Sequence, residues 1–454
     1  MLTFDSSGLY GDGLLSKEHF GGERREELQE AMADLQARFE ADELGFVDTP
    51  DADGASIAAW AEERRSEGWT DQLVIGIGGS SLGAMAVLDS ALPDQRDGLR
   101  AHFADNLDPE SVDRLFRTLN PEKTVVVVIT KSGTTIETMS QFWLARQWLV
   151  EALGEEAANK QIVAITDPES GELRKLVDNH GWWDFDVPPN VGGRFSVLTP
   201  VGLVPLALAG YPIQELLEGA RSARDNRQSL SESAQIWGTI AAEHLALADA
   251  GYNELVMMTY GDRLQSLVDW FCQLWAESLG KARNRQGELV HRGMTPIKAV
   301  GVTDQHSQVQ LYMEGPHNKH ITFLEVRNFE ADRIIPESPP LPRALQHLQG
   351  KPISEVFAAE LRGTRDALRQ AGRPTSSWIF ERITPGSVGA FLFAWQMITA
   401  VAGELMDIDA FDQPGVEMGK KIAHGLLGRP GFEEYAQQGQ GGPDGPAEES
   451  RRIL

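Results

Sequence analysis

A lysine stands in the apolar stripe of a predicted helix near the carboxyl end of the chain. Four residues share the stripe at steps of four, three and four: Val416, Lys420, Ala423 and Leu427. This spacing stacks side chains on one helical face. Lysine is rarely buried without a partner, so a lysine pointing inward would supply a fixed charge or a movable proton. The alternative is a stem that lies along the surface with its ammonium group in water.

A glycine-rich turn follows the first predicted strand and leads into a helix. It reads Gly-Ile-Gly-Gly-Ser-Ser-Leu-Gly at residues 76–83 and includes Gly79 and Ser80. Glycine lets the backbone approach a ligand closely, and a helix N-terminus offers free N–H groups to an anion such as phosphate. The turn lacks the lysine of a P-loop, and a dinucleotide fingerprint would need glycine at Ser81. A tight turn without a ligand is the alternative interpretation.

A second turn of this kind has the sequence Thr-Lys-Ser-Gly-Thr-Thr-Ile-Glu at residues 130–137. Four hydroxyl side chains and Lys131 follow a predicted parallel strand, where they can surround a phosphate group. Helix capping by Ser132 or Thr134 explains one hydroxyl better than four. Two such turns on neighbouring strands meet where the order of a sheet reverses, so phosphate binding is favoured.

Three other residues could transfer protons or stabilise charge. Arg194 follows two glycines, and its guanidinium stays charged and can hold an oxyanion. Glu277 lies at the edge of an apolar helical stripe, where partial burial could prepare a general base. His306, in a turn-rich segment, could carry protons near neutral pH. Each signal alone is weak, because exposed glutamates at helix ends and surface arginines are common.

Two α/β halves are predicted to position these residues. Strand-length apolar runs at 72–77, 125–129 and 162–165 alternate with helical patterns, as in a doubly wound parallel sheet. A second series of strands is predicted at 254–260, 321–326 and 377–381. The fold class is therefore α/β, with two parallel sheets covered by helices on both faces and with long connecting helices.

Five segments follow from this pattern. They are an N-terminal helical segment at 1–70, a first α/β domain with the phosphate-binding turns at 71–200, connecting helices at 201–250, a second α/β domain that ends in the Lys420 helix at 251–430, and a flexible tail at 431–454. The tail is rich in glycine and has little to bury.

The composition of the chain limits the classes of partner and the cellular location that can be expected. The net charge of −26, from 67 acidic and 41 basic residues, argues against nucleic acid or an anionic membrane. A single cysteine, Cys272, excludes an internal disulfide and fits a reducing, cytoplasmic location. No signal peptide is predicted, and the apolar run 388–406 contains two polar side chains, which favours a buried core helix. Histidines occur without zinc-binding spacing, so no metal is predicted.

Six motifs in one order resemble the glucose-6-phosphate isomerase family over about residues 40–430. They are Gly-Ile-Gly-Gly-Ser at 76–80, Lys-Ser-Gly-Thr-Thr at 131–135, Gly-Gly-Arg-Phe-Ser at 192–196, Glu-Ser-Leu-Gly-Lys at 277–281, Asp-Gln-His at 304–306 and Phe-Asp-Gln-Pro-Gly-Val-Glu-Met-Gly-Lys at 411–420. One departure is Pro189, where the family usually has an acidic or small polar residue. The motifs look closer to those of the shorter bacterial members.

The resemblance implies two sugar isomerase domains and an aldose–ketose isomerase that interconverts glucose 6-phosphate and fructose 6-phosphate, without a metal or redox cofactor. Glu277 would move a proton between C1 and C2 through a cis-enediol, and Arg194 would stabilise its negative charge. Four hydroxyls would bind the phosphate group of the substrate: those of Ser80, Thr130, Ser132 and Thr135.

The resemblance also implies roles in opening the sugar ring. His306 and Lys420 would transfer protons at O5 and O1. In the family this histidine comes from the neighbouring subunit, which implies a homodimer. Four further residues would line the pocket: Gly79, Lys131, Glu137 and Gln413.

Two alternatives remain open. A related sugar phosphate, such as mannose 6-phosphate, could be the substrate, because these motifs do not fix the stereochemistry of the sugar. A non-catalytic sugar-phosphate-binding regulator would need the hydroxyl turns but not Glu277, His306 and Lys420 together.

Overall fold

The computed structural model describes residues 1–11, 14–16, 23–225 and 233–439. The strands in these ranges are β1 (Leu2–Asp5), β2 (Asp71–Ile75), β3 (Arg100–Ala104), β4 (Thr124–Ile129), β5 (Ile162–Thr166), β6 (Trp183–Asp186), β7 (Glu254–Tyr260), β8 (Lys281–Arg283), β9 (Leu289–Arg292), β10 (Thr295–Val300), β11 (Lys319–Val326) and β12 (Thr375–Phe380).

The helices in the same ranges are α1 (Glu23–Glu40), α2 (Gly54–Arg65), α3 (Leu82–Ser90), α4 (Pro109–Thr118), α5 (Ile136–Leu153), α6 (Glu155–Asn159), α7 (Glu172–His180), α8 (Pro200–Leu208), α9 (Ile213–Asp225), α10 (Ser233–Asp249), α11 (Gln265–Leu279), α12 (Val309–Glu314), α13 (Ile353–Gln370), α14 (Pro385–Leu405), α15 (Glu417–Leu426) and α16 (Glu433–Gly439).

The first half is built on a parallel sheet with the strand order β3-β2-β4-β5-β6. Its central strand β4 is buried along its whole length. Val125 and Val127 face one hydrophobic cluster, whereas Val126 and Val128 face another. Strand side chains alternate between the two faces, so an unbroken apolar run is what a sheet covered on both sides requires. The predicted α/β fold class is confirmed.

The second half is built on a sheet with the order β1-β12-β11-β7-β10, in which only β1 is antiparallel to its neighbour. Helix α11 packs against α3 of the first half and against α14 of the second. One hydrophobic cluster contains residues of both sheets, including Val127 and Trp378. The two halves therefore share a core, and α11 lies between them.

The structure corrects two of the predicted segments. Residues 1–70 are not only helical, because β1 pairs with β12 at the edge of the second sheet. Residues 433–439 form α16, which packs on α15, so the tail is not loose there. Residues 440–454 lie outside the described residues.

One described helix, α14, is long and apolar enough to cross a membrane by its composition. Of the window that meets this criterion, 89% is buried inside the protein. The prediction of a buried core helix in this region is confirmed.

Two imidazoles meet inside the second half. His244 Nδ1 of α10 lies 3.0 Å from His320 Nε2 of β11, and both side chains are fully buried. Burial lowers the pKa of His320 to about 4. Burial, and then the neighbouring His320, hold the pKa of His244 well below its usual range. Both rings are therefore neutral in the folded protein at neutral pH.

We expect the free energy of unfolding to decrease as pH falls from 6.5 towards 4. In that window an unfolded histidine binds a proton, whereas folded His320 does not, because its pKa has moved from 6.5 to about 4. Across the whole window one such histidine changes the free energy of unfolding by about 3 kcal/mol. Urea unfolding followed by tryptophan fluorescence at about pH 7.5 and about pH 5 measures the part of this change that falls above pH 5, about 2 kcal/mol.

The variant His320→Gln should lose part of this pH dependence, whatever its stability at neutral pH. The matched control is His347→Gln, because His347 is exposed. It should keep the full dependence. An equal dependence in both variants would contradict the assignment to His320.

Candidate active site

The two hydroxyl- and glycine-rich turns lie side by side. Strands β2 and β4 are adjacent and parallel, with Ile75 opposite Val128, so the turns that follow them emerge at one edge of the sheet. The chain passes from β2 outward to β3 and then returns to β4 on the other side of β2. This reversal of direction opens a crevice between the two turns, which is the usual ligand site of such sheets.

The first turn packs directly against the segment that carries Arg194. A Cβ added to Gly79 would lie 2.2 Å from the carbonyl carbon and oxygen of Gly193. Ser196 Oγ donates to Gly193 O at 2.6 Å and so closes the turn that carries Arg194. Gly78 has a φ of +58°, and a Cβ there would lie 2.9 Å from Gln273 Nε2 of α11. Glycine is therefore required at Gly79 by close approach and favoured at Gly78 by its backbone conformation.

The hydroxyl-rich turn after β4 holds its hydroxyls together. Thr130 Oγ1 lies 3.1 Å from Thr135 Oγ1, and Ser132 Oγ lies 2.9 Å from Thr134 Oγ1. Thr130 is buried, whereas Ser132 is exposed. Lys131 Nζ donates to Pro189 O at 2.6 Å. Because this contact uses a backbone carbonyl, proline can stand at that position without loss of the interaction.

Arg194 is a buried residue of the site and makes hydrogen bonds to several of its segments. It is 4% exposed, and burial lowers its pKa, while the negative charges of Glu277 and Asp412 act in the opposite direction. An arginine nevertheless stays protonated in proteins. Its guanidinium donates to four acceptors: Ser278 Oγ at 2.7 Å, Gln413 Oε1 at 3.0 Å, Ala410 O at 2.6 Å and Asp412 O at 3.0 Å.

Glu277 stands beside this arginine near the end of α11. Its Oε1 lies 3.4 Å from Arg194 NH1, and its Oε2 accepts a hydrogen bond from Gln273 Nε2 at 3.0 Å. The side chain is 27% exposed, so it can meet a ligand while both partners hold its orientation. A carboxylate held in this way can exchange a proton with a bound molecule.

Two residues of the site were not predicted from the sequence. Ser278 orients Arg194, and Lys281 is buried next to both of them. Part of the signal was present, because Ser278 continues the apolar stripe of α11 three residues after Trp275, whereas Lys281 lies beyond the end of the helix. Polar residues on a buried helical face need partners, and that need marks them as candidates.

The structure brings Gln413 into contact with Arg194, whereas Lys420 lies outside this cluster in the single chain. The prediction that Lys420 points inward is wrong for this chain: its side chain is 56% exposed and its Nζ lies 2.7 Å from Glu417 Oε1. Val416 and Leu427 of the same stripe are also exposed, at 48% and 69%. Helix α15 packs mainly on α16, and its apolar stripe faces outward. The periodicity correctly predicted a helix here, but it did not predict the direction in which the stripe points.

His306 and Glu137 complete the predicted set. His306 follows a 3-10 turn after β10 and is exposed. It does not contact Arg194 or Glu277 within the described part of the chain. Glu137 lies in the first turn of α5, directly after the hydroxyl-rich turn, and is half-buried. The structure thus groups the two turns, Arg194, Glu277 and Gln413, and leaves His306 and Lys420 on the surface.

A cavity of about 910 Å³ lies away from these residues, between β1, α9, α10 and α14. Among the described residues, no group of three or more histidine, cysteine, aspartate or glutamate side chains is arranged to hold a metal ion.

Known proteins are similar to this chain in sequence and in fold. Residues 58–437 match the phosphoglucose isomerase family. The glucose-6-phosphate isomerase of Carboxydothermus hydrogenoformans is 44% identical over 91% of each chain. That of Rubrobacter xylanophilus is 42% identical over 95% of this chain and 99% of its own.

Two solved structures are also similar. A hypothetical protein from Thermus thermophilus has a TM-score of 0.86 at 36% identity and covers 94% of this chain and 100% of its own. A glucose-6-phosphate isomerase from Chlamydia trachomatis has a TM-score of 0.74 at 24% identity, covers 85% of this chain and 75% of its own, and bears on the fold alone. With a family match over most of its length and relatives above 40% identity, this chain belongs to the phosphoglucose isomerase family.

Proposed function

We propose that this chain interconverts D-glucose 6-phosphate and D-fructose 6-phosphate by acid–base catalysis through a cis-enediol intermediate. The observation that carries the proposal is the buried Arg194, 3.4 Å from the Glu277 carboxylate and attached to the turn that packs on Gly79. A base, a cation and an anion-adapted turn are thus in one site. The relatives named as glucose-6-phosphate isomerases support the same activity.

The phosphate group of the substrate would bind between the two turns. Their hydroxyls now pair with one another, as Thr130 and Thr135 do at 3.1 Å, and each can turn its hydrogen towards a phosphate oxygen instead. The N-termini of α3 and α5 follow the turns and favour a negative charge there. Four hydroxyls would contact the phosphate: those of Ser80, Thr130, Ser132 and Thr135.

Glu277 would carry the isomerisation step. Its carboxylate would remove the proton from C2 of the open-chain aldose and return it to C1 of the enediol. A proton would move from the C2 hydroxyl to O1 in the same conversion, so that the ketose forms and the enzyme ends the cycle unchanged. Arg194 would stabilise the negative charge that develops on the substrate oxygens, because its positive charge is already fixed in place by four acceptors. Gln413 would share this task by accepting a hydrogen bond from NH1 of Arg194, the nitrogen that also faces Glu277.

Ring opening would need two further proton carriers at O5 and O1, which we assign to His306 and Lys420. Both are exposed in the single chain. We propose a homodimer in which His306 reaches the site of the neighbouring subunit, and Lys131 and Glu137 line the pocket beside the hydroxyl-rich turn. We place the enzyme in the cytoplasm, where a single half-buried cysteine stays reduced.

A coupled assay tests the function. Fructose 6-phosphate is supplied, and the glucose 6-phosphate formed is oxidised by an added NADP-linked dehydrogenase, with and without EDTA. We expect turnover that the chelator does not change. Mannose 6-phosphate, measured in parallel, should give a much lower rate. Absence of turnover, or a preference for mannose 6-phosphate, would overturn the proposed substrate.

We expect Lys420→Ala to lower kcat about 100-fold, because a ring-opening proton carrier is lost. Stability should change little, since the exposed pair of Lys420 and Glu417 contributes at most about 1 kcal/mol. Steady-state kinetics and urea unfolding measure the two quantities. The matched control is Lys421→Ala, which removes the next lysine of the same helix, whose Nζ lies 5.8 Å from the ring centre of Tyr435. Equal activity of the two variants would exclude Lys420 from the mechanism.

A further inference from the structure

Lys281 is a buried lysine beside the proposed catalytic pair. It is 6% exposed and is the first residue of β8, directly after the glycine that ends α11. Its ammonium group donates to three backbone carbonyls: Glu277 O at 2.9 Å, Ser278 O at 2.8 Å and Asp412 O at 3.0 Å. An ammonium group has three hydrogens, and these carbonyls use all of them.

These three carbonyls belong to two different parts of the site. Two are at the end of α11, where the last carbonyls of a helix lack partners within the helix and attract a cation. The third belongs to the segment 409–413, which we call the strap and which ends in Gln413. Arg194 also donates to this Asp412 oxygen and to Ala410 O. Lys281 and Arg194 therefore hold the strap together.

We propose that Lys281 is a positioning residue that ties the strap to the end of α11 and so fixes Glu277 relative to Arg194 and Gln413. This inference rests on the proposed function, because it assigns a task to Lys281 within that reaction. Lys281 itself need not touch the substrate. Without it, the carbonyls of Glu277 and Ser278 would lose their donor, and the helix turn that presents the carboxylate would be free to move.

Burying the positive charge of Lys281 close to that of Arg194 costs free energy, which argues that the contacts of Lys281 with the strap are not incidental. Burial lowers the pKa of Lys281, and the nearby positive charge of Arg194 lowers it further. Asp412, whose Oδ1 lies 3.4 Å from the ammonium group, partly offsets this repulsion. Two cations are thus kept close together inside a chain of net charge −26, where they create positive potential for a doubly negative substrate.

Lys319 provides a matched comparison outside the site. It is also 6% exposed, but its ammonium group contacts the side chains of Asn318 and Glu254 at 2.7 Å and 2.9 Å. Its partners lie at the starts of β7 and β11, and neither belongs to the strap or to the end of α11. Removing it should cost stability in the same way as removing Lys281, without a consequence for the strap.

The experiment compares Lys281→Met, Lys281→Arg and Lys319→Met in the full-length protein. We expect Lys281→Met to lower kcat between about 10- and 100-fold, since a misplacement of about 1 Å can cost this much, while KM stays within about threefold. Lys281→Arg keeps the charge but not the tripod of donors, so its kcat should fall between those of Lys281→Met and the wild type. Lys319→Met should retain kcat within about twofold.

Hydrogen exchange of the backbone amides provides a second readout, independent of activity. Amides of the strap should exchange faster in Lys281→Met than in the wild type and should be unchanged in Lys319→Met. If Lys281→Met does not fold, Lys281→Arg decides by the same two measurements. Three results would overturn the inference. They are a wild-type kcat in the Lys281 variants, an unchanged rate of amide exchange in the strap of Lys281→Met, and an equal loss of kcat in Lys319→Met.

The two proposals can fail separately. A wild-type protein without isomerase activity would overturn the proposed function, and the exchange of the strap would then still decide whether Lys281 holds it. An active wild type with unaffected Lys281 variants would overturn only the positioning role.

Discussion

Glu277→Gln should abolish exchange of the C2 proton of glucose 6-phosphate with solvent and lower kcat about 10⁴-fold. An amide cannot accept the proton that the carboxylate would remove. The substitution also places an NH₂ group next to donors, because the two carboxylate oxygens now face Arg194 NH1 and Gln273 Nε2. Proton NMR of the sugar phosphate in D₂O measures exchange directly, and the coupled assay measures turnover.

The chain offers a matched control for this substitution. In α5, Gln147 Nε2 donates to Glu151 Oε1 at 2.7 Å across one helical turn, as Gln273 does to Glu277. Glu151 is exposed and lies at the other end of its helix from the hydroxyl-rich turn. Glu151→Gln should therefore leave exchange and turnover unchanged. Continued C2 exchange in Glu277→Gln would assign the base to another residue.

Arg194→Met should lower kcat about 10³-fold, because the fixed positive charge that would stabilise the enediolate is lost. It should also reduce the free energy of unfolding by about 3–5 kcal/mol, the usual cost of removing one member of a buried ion pair. Ala410 O and Ser278 Oγ lose a charged partner in this variant. Steady-state kinetics and urea unfolding separate the two effects.

Arg373→Met is the control for stability alone. Arg373 is 3% exposed and donates to the backbone carbonyls of Tyr312 and Met313 in α12, and not to the cluster of Arg194, Glu277 and Gln413. Its replacement should destabilise the protein comparably and leave the kcat of the folded enzyme unchanged. If both variants lost the same activity, the effect of Arg194 would have to be assigned to stability.

The sheets and the positions of the glycine- and hydroxyl-rich turns could be predicted because their causes are local. A strand such as β4 is buried on both faces and must be apolar throughout, and the Gly79 turn needs glycines wherever it occurs. The four-residue strand β1 could not be predicted, since it pairs with β12, a strand very far from it along the chain. Nor could the outward direction of Lys420, because periodicity defines a face but not what covers it.

The contact between Gly79 and Gly193 has a consequence for the size of the substrate. With no side chain between them, two backbones set the distance from the turn proposed to bind phosphate to Arg194. A spacing set by main-chain atoms does not change when neighbouring side chains repack. In the proposed mechanism this spacing would fix the number of carbon atoms between the phosphate ester and the carbon that loses its proton, so we expect sugars one carbon shorter to place the wrong atom before Glu277.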